Sequence, residues 1–230
     1  MTMTFYMTPG SCSTGIHILL EECGLVFEAS IVNLLAGDQY KADYAAINPK
    51  GSIPALVLDD GTALTEFSAI AWWLARSYPK RKLLPEDLKD EVQALSVMNY
   101  VVHTLHTQGF ARIFTTERFA PSRSDHESVK AQGRQFIDKA FAIVDRELVG
   151  RQYVVGHFTI ADAALFYVEF WADRIGIPLP ANCQAHYRRM LTRPAVRQVL
   201  AEEGYASVLR QSFRRRPVER CFSQKSWMAE

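Results

Sequence analysis

The chain is short of the features that would force an unusual architecture. Among 230 residues there are 10 prolines and 12 glycines, too few for a collagen-like or low-complexity chain. Cysteines number 4, and Cys12, Cys23, Cys183 and Cys221 include no Cys-x-x-Cys pair. A dithiol redox couple and a zinc ribbon are thereby excluded, and each thiol must act alone. An excess of one charge is also lacking, since 26 Lys plus Arg face 25 Asp plus Glu. No global field steers the protein onto nucleic acid, and the one basic cluster, Arg210, Arg214, Arg215, Arg216 and Arg220, reads as a solvated tail. Long apolar runs are missing too: Ala69 to Ala75 falls far short of the roughly 20 residues a membrane-spanning helix needs. Met1 to Gly10 has neither a basic leader nor a long apolar stretch, so no secretory signal is expected. These absences predict a cytoplasmic protein with no membrane partner.

What is present is a hydrophobic fraction of 48%, enough for a core that needs no disulfide staples. Strand-like Thr4 to Met7 is followed by the breaker Thr8-Pro9-Gly10. Ser13 to Cys23 then carries Ile16, Leu19, Leu20 and Cys23 at helical spacing and stops at Gly24. Phe27, Ala29 and Ile31 alternate as a strand does, and Asp43 to Ile47 makes a short helical turn. Ala55 to Leu58 and Ala63-Leu64 form a hairpin about Asp59-Asp60-Gly61. Ser68 to Tyr78 returns to helix. The order predicts a small mixed sheet with helices packed on it. From Leu88 onward the periodicity is helical, with candidates Lys89 to Thr116, Asp125 to Leu148, Thr159 to Arg174, Cys183 to Thr192 and Pro194 to Glu203. The boundary falls in the basic, proline-containing stretch Pro79 to Asp87. Thr159-Ile160-Ala161-Asp162 reads as a capping box.

Several positions can carry chemistry. Cys12 stands between the Pro-Gly turn and a helix start, where unpaired N–H groups and the helix dipole favour an anion and lower a thiol pKa; a small buried turn residue is the other account. Cys23 lies on the apolar face of that helix, and Gly15 stands where a second cysteine would complete a redox pair. Pro54 suits the start of a strand, and the Ile53-Pro54 bond is either cis, turning the backbone of Ile53 toward a peptide ligand, or trans and structural. Between strand and helix, Glu66, Phe67 and Ser68 can hold a ligand bearing both a carboxylate and an ammonium group, with helix capping by Ser68 a compatible reading. Asn99 and His106 share a helix face with Val92, Leu95 and Val102, as a polar notch or as satisfied core residues. His103 and His106 have metal-like spacing without a third ligand, so no metal is expected. The Tyr6 hydroxyl can donate to a thiolate or simply stand at a wet strand end.

Taken in order, Phe5-Tyr6, Pro9-Gly10-Ser11-Cys12-Ser13, His17-Ile18, Asn48-Pro49-Lys50-Gly51-Ser52-Ile53-Pro54-Ala55-Leu56, Asp59-Asp60-Gly61, Leu64-Thr65-Glu66, Asn99-Tyr100, Leu105-His106 and Phe158-Thr159-Ile160-Ala161-Asp162 resemble the glutathione transferases. The resemblance is closest to the bacterial beta class. It implies an α/β thioredoxin-like N-terminal domain (1–80), an all-α C-terminal domain (88–213), a basic extension (214–230) and a homodimer. Glutathione is the implied co-substrate, conjugated as its thiolate to small apolar electrophiles. Cys12, His106 and Tyr6 are the implied catalytic residues, with Cys12 able to form a mixed disulfide with glutathione. The implied binding residues are Ile53, Pro54, Glu66, Phe67, Ser68 and Lys41, together with Asn99 approaching from the neighbouring subunit. Thiol-disulfide exchange through Cys12, and a non-catalytic binding protein of the same fold, are the alternative readings. The chain departs from the pattern at three places. Phe67 replaces a Ser or Gly, Thr107 followed by the extra Gln108 replaces a Lys, and Leu34 to Gln39 lacks a lysine.

Overall fold

The computed structural model describes residues 2–211. Its sheet is built from β1 (Met3–Met7), β2 (Phe27–Ile31), β3 (Ala55–Val57) and β4 (Ala63–Thr65), in the order β2-β1-β3-β4. β1 pairs parallel with β2 and antiparallel with β3, and β3 pairs antiparallel with β4. The β1–β2 crossover is α1 (Ser13–Cys23), which ends at Gly24 with φ 67. Only a residue free of Cβ strain takes that left-handed turn cheaply. A short α2 (Ala42–Ala45) lies between β2 and β3, and α3 (Phe67–Ser77) follows β4. The hairpin turn forms as its sequence predicts, with Thr62 N–H donating to Asp60 Oδ1 at 2.8 Å.

The remaining elements are helical: α4 (Leu88–Tyr100), α5 (Ala111–Phe114), α6 (His126–Glu147), α7 (Ile160–Arg174), α8 (Ala181–Met190), α9 (Pro194–Glu202) and α10 (Ala206–Gln211). Between α4 and α5, Val101–Phe110 is a π-helical stretch. The Thr107 hydroxyl donates to Val102 O, five residues back, at 2.8 Å. The wider turns of this stretch hold Thr107 and Gln108 within a continuous helix. α7 is the central post. Every residue from Ile160 to Ala172 is buried, and the capping box holds its start, with Thr159 N–H donating to Asp162 Oδ2 at 2.7 Å. One apolar core runs from Phe5 and Leu56 in the sheet through Ile70 and Leu74 of α3 to Phe166 and Phe170 of α7. The sheet and helical halves therefore bury a common surface. Cys12, Cys23 and Cys183 are free and buried; Cys221 and the arginine cluster beyond Arg210 lie outside the described residues.

Candidate active site

The Pro-Gly turn delivers Cys12 to the start of α1. Ser13 accepts from Thr8 N–H at 3.1 Å and donates to Thr8 O at 3.0 Å, so the serine side chain knits the turn closed. Gly10 takes φ 73, and the Tyr205 ring lies where a β-carbon at this position would stand. Both of its backbone groups are used by the helical half: Gly10 N–H donates to Glu203 Oε2 and Trp171 Nε1–H donates to Gly10 O, each at 2.7 Å.

Cys12 is buried, and its thiol points at the carbonyl of Ile53, 3.7 Å away. The helix-start argument predicts a lowered thiol pKa, and the structure reverses it. Burial pushes the Cys12 thiol up to about 12, against the smaller opposing pull of the Cys12 and Ser13 N–H groups. Desolvation outweighs two partial dipoles because a thiolate here would lose its whole hydration shell. Cys12 is thus an S–H donor at neutral pH rather than a standing thiolate.

The Ile53-Pro54 bond is cis, the first of the two readings left open by the sequence. Ile53 packs on both sides, against the main core and against a small cluster of Val32, Tyr44 and Ala55 that Tyr6 also joins. Tyr6 belongs to that cluster, its ring 5.6 Å from that of Tyr44. Because residues alternate across β1, Phe5 faces the main core while Tyr6 faces away from it. The sheet-residue account of Tyr6 describes its observed surroundings.

At the far edge, Glu66 adopts φ 73, ψ 129, an uncommon conformation for a residue with a β-carbon and one that costs roughly 1–3 kcal/mol. Its carbonyl opens α3 by accepting from Ile70 N–H at 3.0 Å. Lys50 Nζ reaches Glu66 Oε1 at 2.9 Å and Thr65 Oγ1 at 3.0 Å, a partner that the sequence reading passed over. Ser68 does not cap the helix. Its hydroxyl donates to Asn99 Oδ1 at 3.0 Å, so Asn99 reaches this corner within one chain. Phe67 turns inward, with its ring 5.3 Å from that of Tyr167, and covers Gly15. A β-carbon at 15 would lie 2.7 Å from that ring and 2.8 Å from Ala163 O. The absent second cysteine thus has a steric cause. Lys41 is bound to Asp38 at 2.6 Å, on the opposite edge of the sheet from Glu66.

His106 is half-buried in the π-helical stretch. It faces α7, not Asn99: its ring lies 4.9 Å from Trp171 and 5.8 Å from Tyr167. Burial pulls the imidazole down to about 4, so it is neutral near pH 7. Its Nδ1 is 3.3 Å from the Tyr167 hydroxyl. Burial, with a contribution from the Cys12 thiol, holds the phenol well above its ordinary range. A protonated phenol beside a neutral imidazole donates to Nδ1, which assigns the ring hydrogen to Nε2. Tyr167 and Trp171 escape sequence reasoning because they are two apolar-compatible residues in a wholly buried helix. Only their hydroxyl and indole N–H distinguish them from packing.

A thioredoxin-like sheet with a buried cysteine at the first helix start, its thiol on the carbonyl before a cis-proline, and an all-helical half closing over the loop define the fold class. The family profile "Glutathione S-transferase, N-terminal domain" matches residues 10–77. Glutathione S-transferase GstA of Escherichia coli O157:H7 is 38% identical over 214 residues, 88% of this chain and 99% of that protein. Among solved structures, a glutathione transferase homologue from Sulfitobacter with bound glutathione superposes with a TM-score of 0.81 at 33% identity, covering 87% of this chain and 98% of that one. The bacterial beta class glutathione S-transferase of Sphingomonas chungbukensis gives 0.76 at 30%, covering 88% and 99%. The chain belongs to the glutathione S-transferase family.

Proposed function

We propose that the protein is a glutathione transferase that joins the thiolate of glutathione to small apolar electrophiles. The observation that carries this reading is the Tyr167–His106 pair, whose phenol, raised first by burial, lies close enough to Cys12 to be raised further by its thiol. A neutral imidazole whose Nδ1 is occupied presents Nε2–H as a donor, and the single Cys12 S–H, held by the Ile53 carbonyl in the free protein, becomes a second donor when it turns to the incoming sulfur. Two neutral donors in a partly dry site stabilise the thiolate of an incoming thiol without competing with it as bases.

The sheet order supports the direction in which glutathione lies. Glu66 follows one edge strand, Lys41 lies beyond the other, and Cys12 with Ile53 stands between them. Four strands span three intervals of about 4.8 Å, about 14 Å in all, so an extended tripeptide of roughly 10 Å anchored at the Glu66 edge passes Ile53 and Cys12 and stops short of the β2 edge, where the Lys41 side chain must reach inward to meet it. The γ-glutamyl end is assigned to Glu66, Phe67, Ser68 and Asn99, the cysteinyl backbone to Ile53 before Pro54, and the glycyl carboxylate to the side of Lys41, where it competes with Asp38. Tyr6 is retained only as a wall of this groove. Residues 1–80 form the glutathione-reading unit and 88–213 the substrate-binding unit in this reading, with a homodimer and a cytoplasmic setting. Trp72, Leu88 and Val92 on α3 and α4 are 45%, 70% and 56% exposed, an apolar surface suited to a second copy. Among the described residues no helix is long and apolar enough to cross a membrane.

The test is conjugation of glutathione to an aryl halide by three variants. His106→Ala loses about 100-fold in kcat/KM, the size of one transition-state donor, while Cys12→Ala loses less and keeps its retention on immobilised glutathione. If Cys12→Ala abolishes turnover and the unaltered enzyme reduces glutathione mixed disulfides faster than it conjugates, exchange through Cys12 replaces this reading. If Tyr167→Phe matches the unaltered enzyme, the assigned tautomer is wrong.

A further inference from the structure

The cations of the sheet half that lie nearest the glutathione groove already have carboxylate partners. Lys41 is bound to Asp38 at 2.6 Å, and the other oxygen of Asp38 accepts from Asn33 N–H at 3.1 Å. Lys50 is bound to Glu66, at the γ-glutamyl end. On the helical half, Arg112 donates to Gln108 O and Oε1 at 2.7 and 2.9 Å and lies over the rings of Phe119 and Phe136. Arg118 is placed differently. Its side chain crosses to the sheet half and donates from Nη2 to the Tyr40 hydroxyl at 3.0 Å, a contact between residues 78 apart in the chain. Its partner is a phenol oxygen, and among the described residues Arg118 meets no carboxylate.

Both ends of this bridge are held. Arg118 closes the turn Thr116–Arg118, where its N–H donates to Thr115 O at 3.0 Å and the Thr116 hydroxyl donates to Arg112 O at 2.7 Å. Tyr40 closes the turn Asp38–Tyr40, and its ring lies against Gly51, where a β-carbon would stand 2.9 Å from the nearest ring atom. Gly51 is two residues before Ile53, and Tyr40 adjoins Lys41. The guanidinium is therefore brought to the corner between the backbone assigned to the cysteinyl residue and the side assigned to the glycyl carboxylate. An extended tripeptide stops about 4 Å short of the β2 edge, and a cation entering from the facing half meets it there without leaving an ion pair.

This inference rests on the glutathione transferase reading above. The geometry points to Arg118 as the residue that takes the glycyl carboxylate, with Tyr40 positioning its guanidinium. A guanidinium carries five N–H donors in a planar fork. One is used here, so a carboxylate can be met by two parallel hydrogen bonds while the phenol contact is kept. The lysine lacking from Leu34 to Gln39 is thereby replaced from across the cleft. The consequence is a bound tripeptide that joins the two halves, because Ile53 stands on one and Arg118 on the other.

The experiment measures, by calorimetry on the full chain, the affinities of glutathione and of its glycyl ethyl ester, which removes only the charge at that end. The unaltered chain is expected to bind glutathione about tenfold more tightly than the ester, the size of one solvent-exposed charge-assisted contact. Arg118→Ala lowers glutathione affinity about tenfold and binds the two ligands alike, with Tm unchanged because the side chain is exposed. The ester separates this role from that of a structural strap, whose loss weakens both ligands equally. Arg118→Lys keeps part of the preference, since the charge stays and the fork goes. Tyr40→Phe reduces the preference by about two- to threefold, the size of one weak hydrogen bond. The proposal falls if the unaltered chain binds glutathione and the ester alike, if Arg118→Ala still prefers glutathione, or if Lys41→Ala removes the preference and Arg118→Ala does not. Binding of neither ligand at millimolar concentration is the separate result that overturns the glutathione reading itself, and this assignment with it.

Discussion

Gly15→Ala puts the crowding over the cysteine helix to a quantitative test. In an ordinary helix interior this substitution stabilises by about 1 kcal/mol, because alanine is the better helix former. Here the added carbon would stand 2.7 and 2.9 Å from the Phe67 ring and 2.8 Å from Ala163 O, where ordinary contacts begin at 3.4 Å. Something must move by about half an ångström. The Phe67 ring is backed by Tyr167, and Ala163 O is backbone in the first turn of a buried helix, so neither gives cheaply. Overpacking of this kind costs up to about 3 kcal/mol. Set against the propensity gain, the net loss is about 2 kcal/mol. For a chain of this size that is a fall in Tm of roughly 4–8 °C, with a urea midpoint shifted at unchanged slope. The same substitution in a Phe67→Ala background relieves only the ring contact, so its cost drops by about 1 kcal/mol in a double-mutant cycle. An unchanged or raised Tm for Gly15→Ala would refute the claim that Phe67 and α7 exclude a side chain at this position. With it would go the steric explanation for glycine at position 15.

Two further outcomes follow from buried titratable groups. Alkylation of Cys12 by iodoacetamide stays slow at pH 8 and climbs toward pH 12, since burial holds the thiol there; fast labelling near neutrality contradicts the geometry. His186, buried between Glu169 Oε2 at 2.8 Å and Asp162 Oδ1 at 3.2 Å, loses hydration but is pushed up to about 10 because Glu169 and Asp162 outweigh that loss. A folded-state value above the unfolded value of about 6.5 means stability is fully present below pH 6.5 and is lost as pH rises toward 10. Urea midpoints measured across that window should fall, and His186→Gln, less stable at pH 6, should flatten the slope; an equally steep fall in the variant assigns the dependence elsewhere.

Much of the fold is legible in the sequence because it rests on local signals. Gly24 ends α1, Asp60-Gly61 turns the hairpin and Thr159 with Asp162 starts α7, each through a hydrogen bond within a few residues of its own position. The site is legible only in part. Cys12, Ile53-Pro54 and Glu66 sit at strand and helix ends, which turn chemistry marks. The thiol's pKa direction is not legible, since it depends on how deeply the helical half covers the loop. The π-helical widening at Gln108 aims His106 at α7, which a seven-residue spacing on an ideal helix does not foretell. Tyr167 and Trp171 look like core in a helix that is core throughout. Lys50 meets Glu66 across 16 residues, and no sequence periodicity connects the two.

The hold on Gly10 bears on the order in which this molecule can become active. Its carbonyl waits for Trp171 and its N–H for Glu203, partners 161 and 193 residues further along the chain. A ribosome-bound N-terminal half can pair its four strands and still have no helical half to clamp the cysteine turn. Contacts of such long sequence separation close late, because they carry the largest loop entropy. The nascent thiol therefore stays open to solvent and oxidants until the last helices dock, and assembly of the final quarter of the chain is what turns Cys12 from a reactive side chain into a protected one.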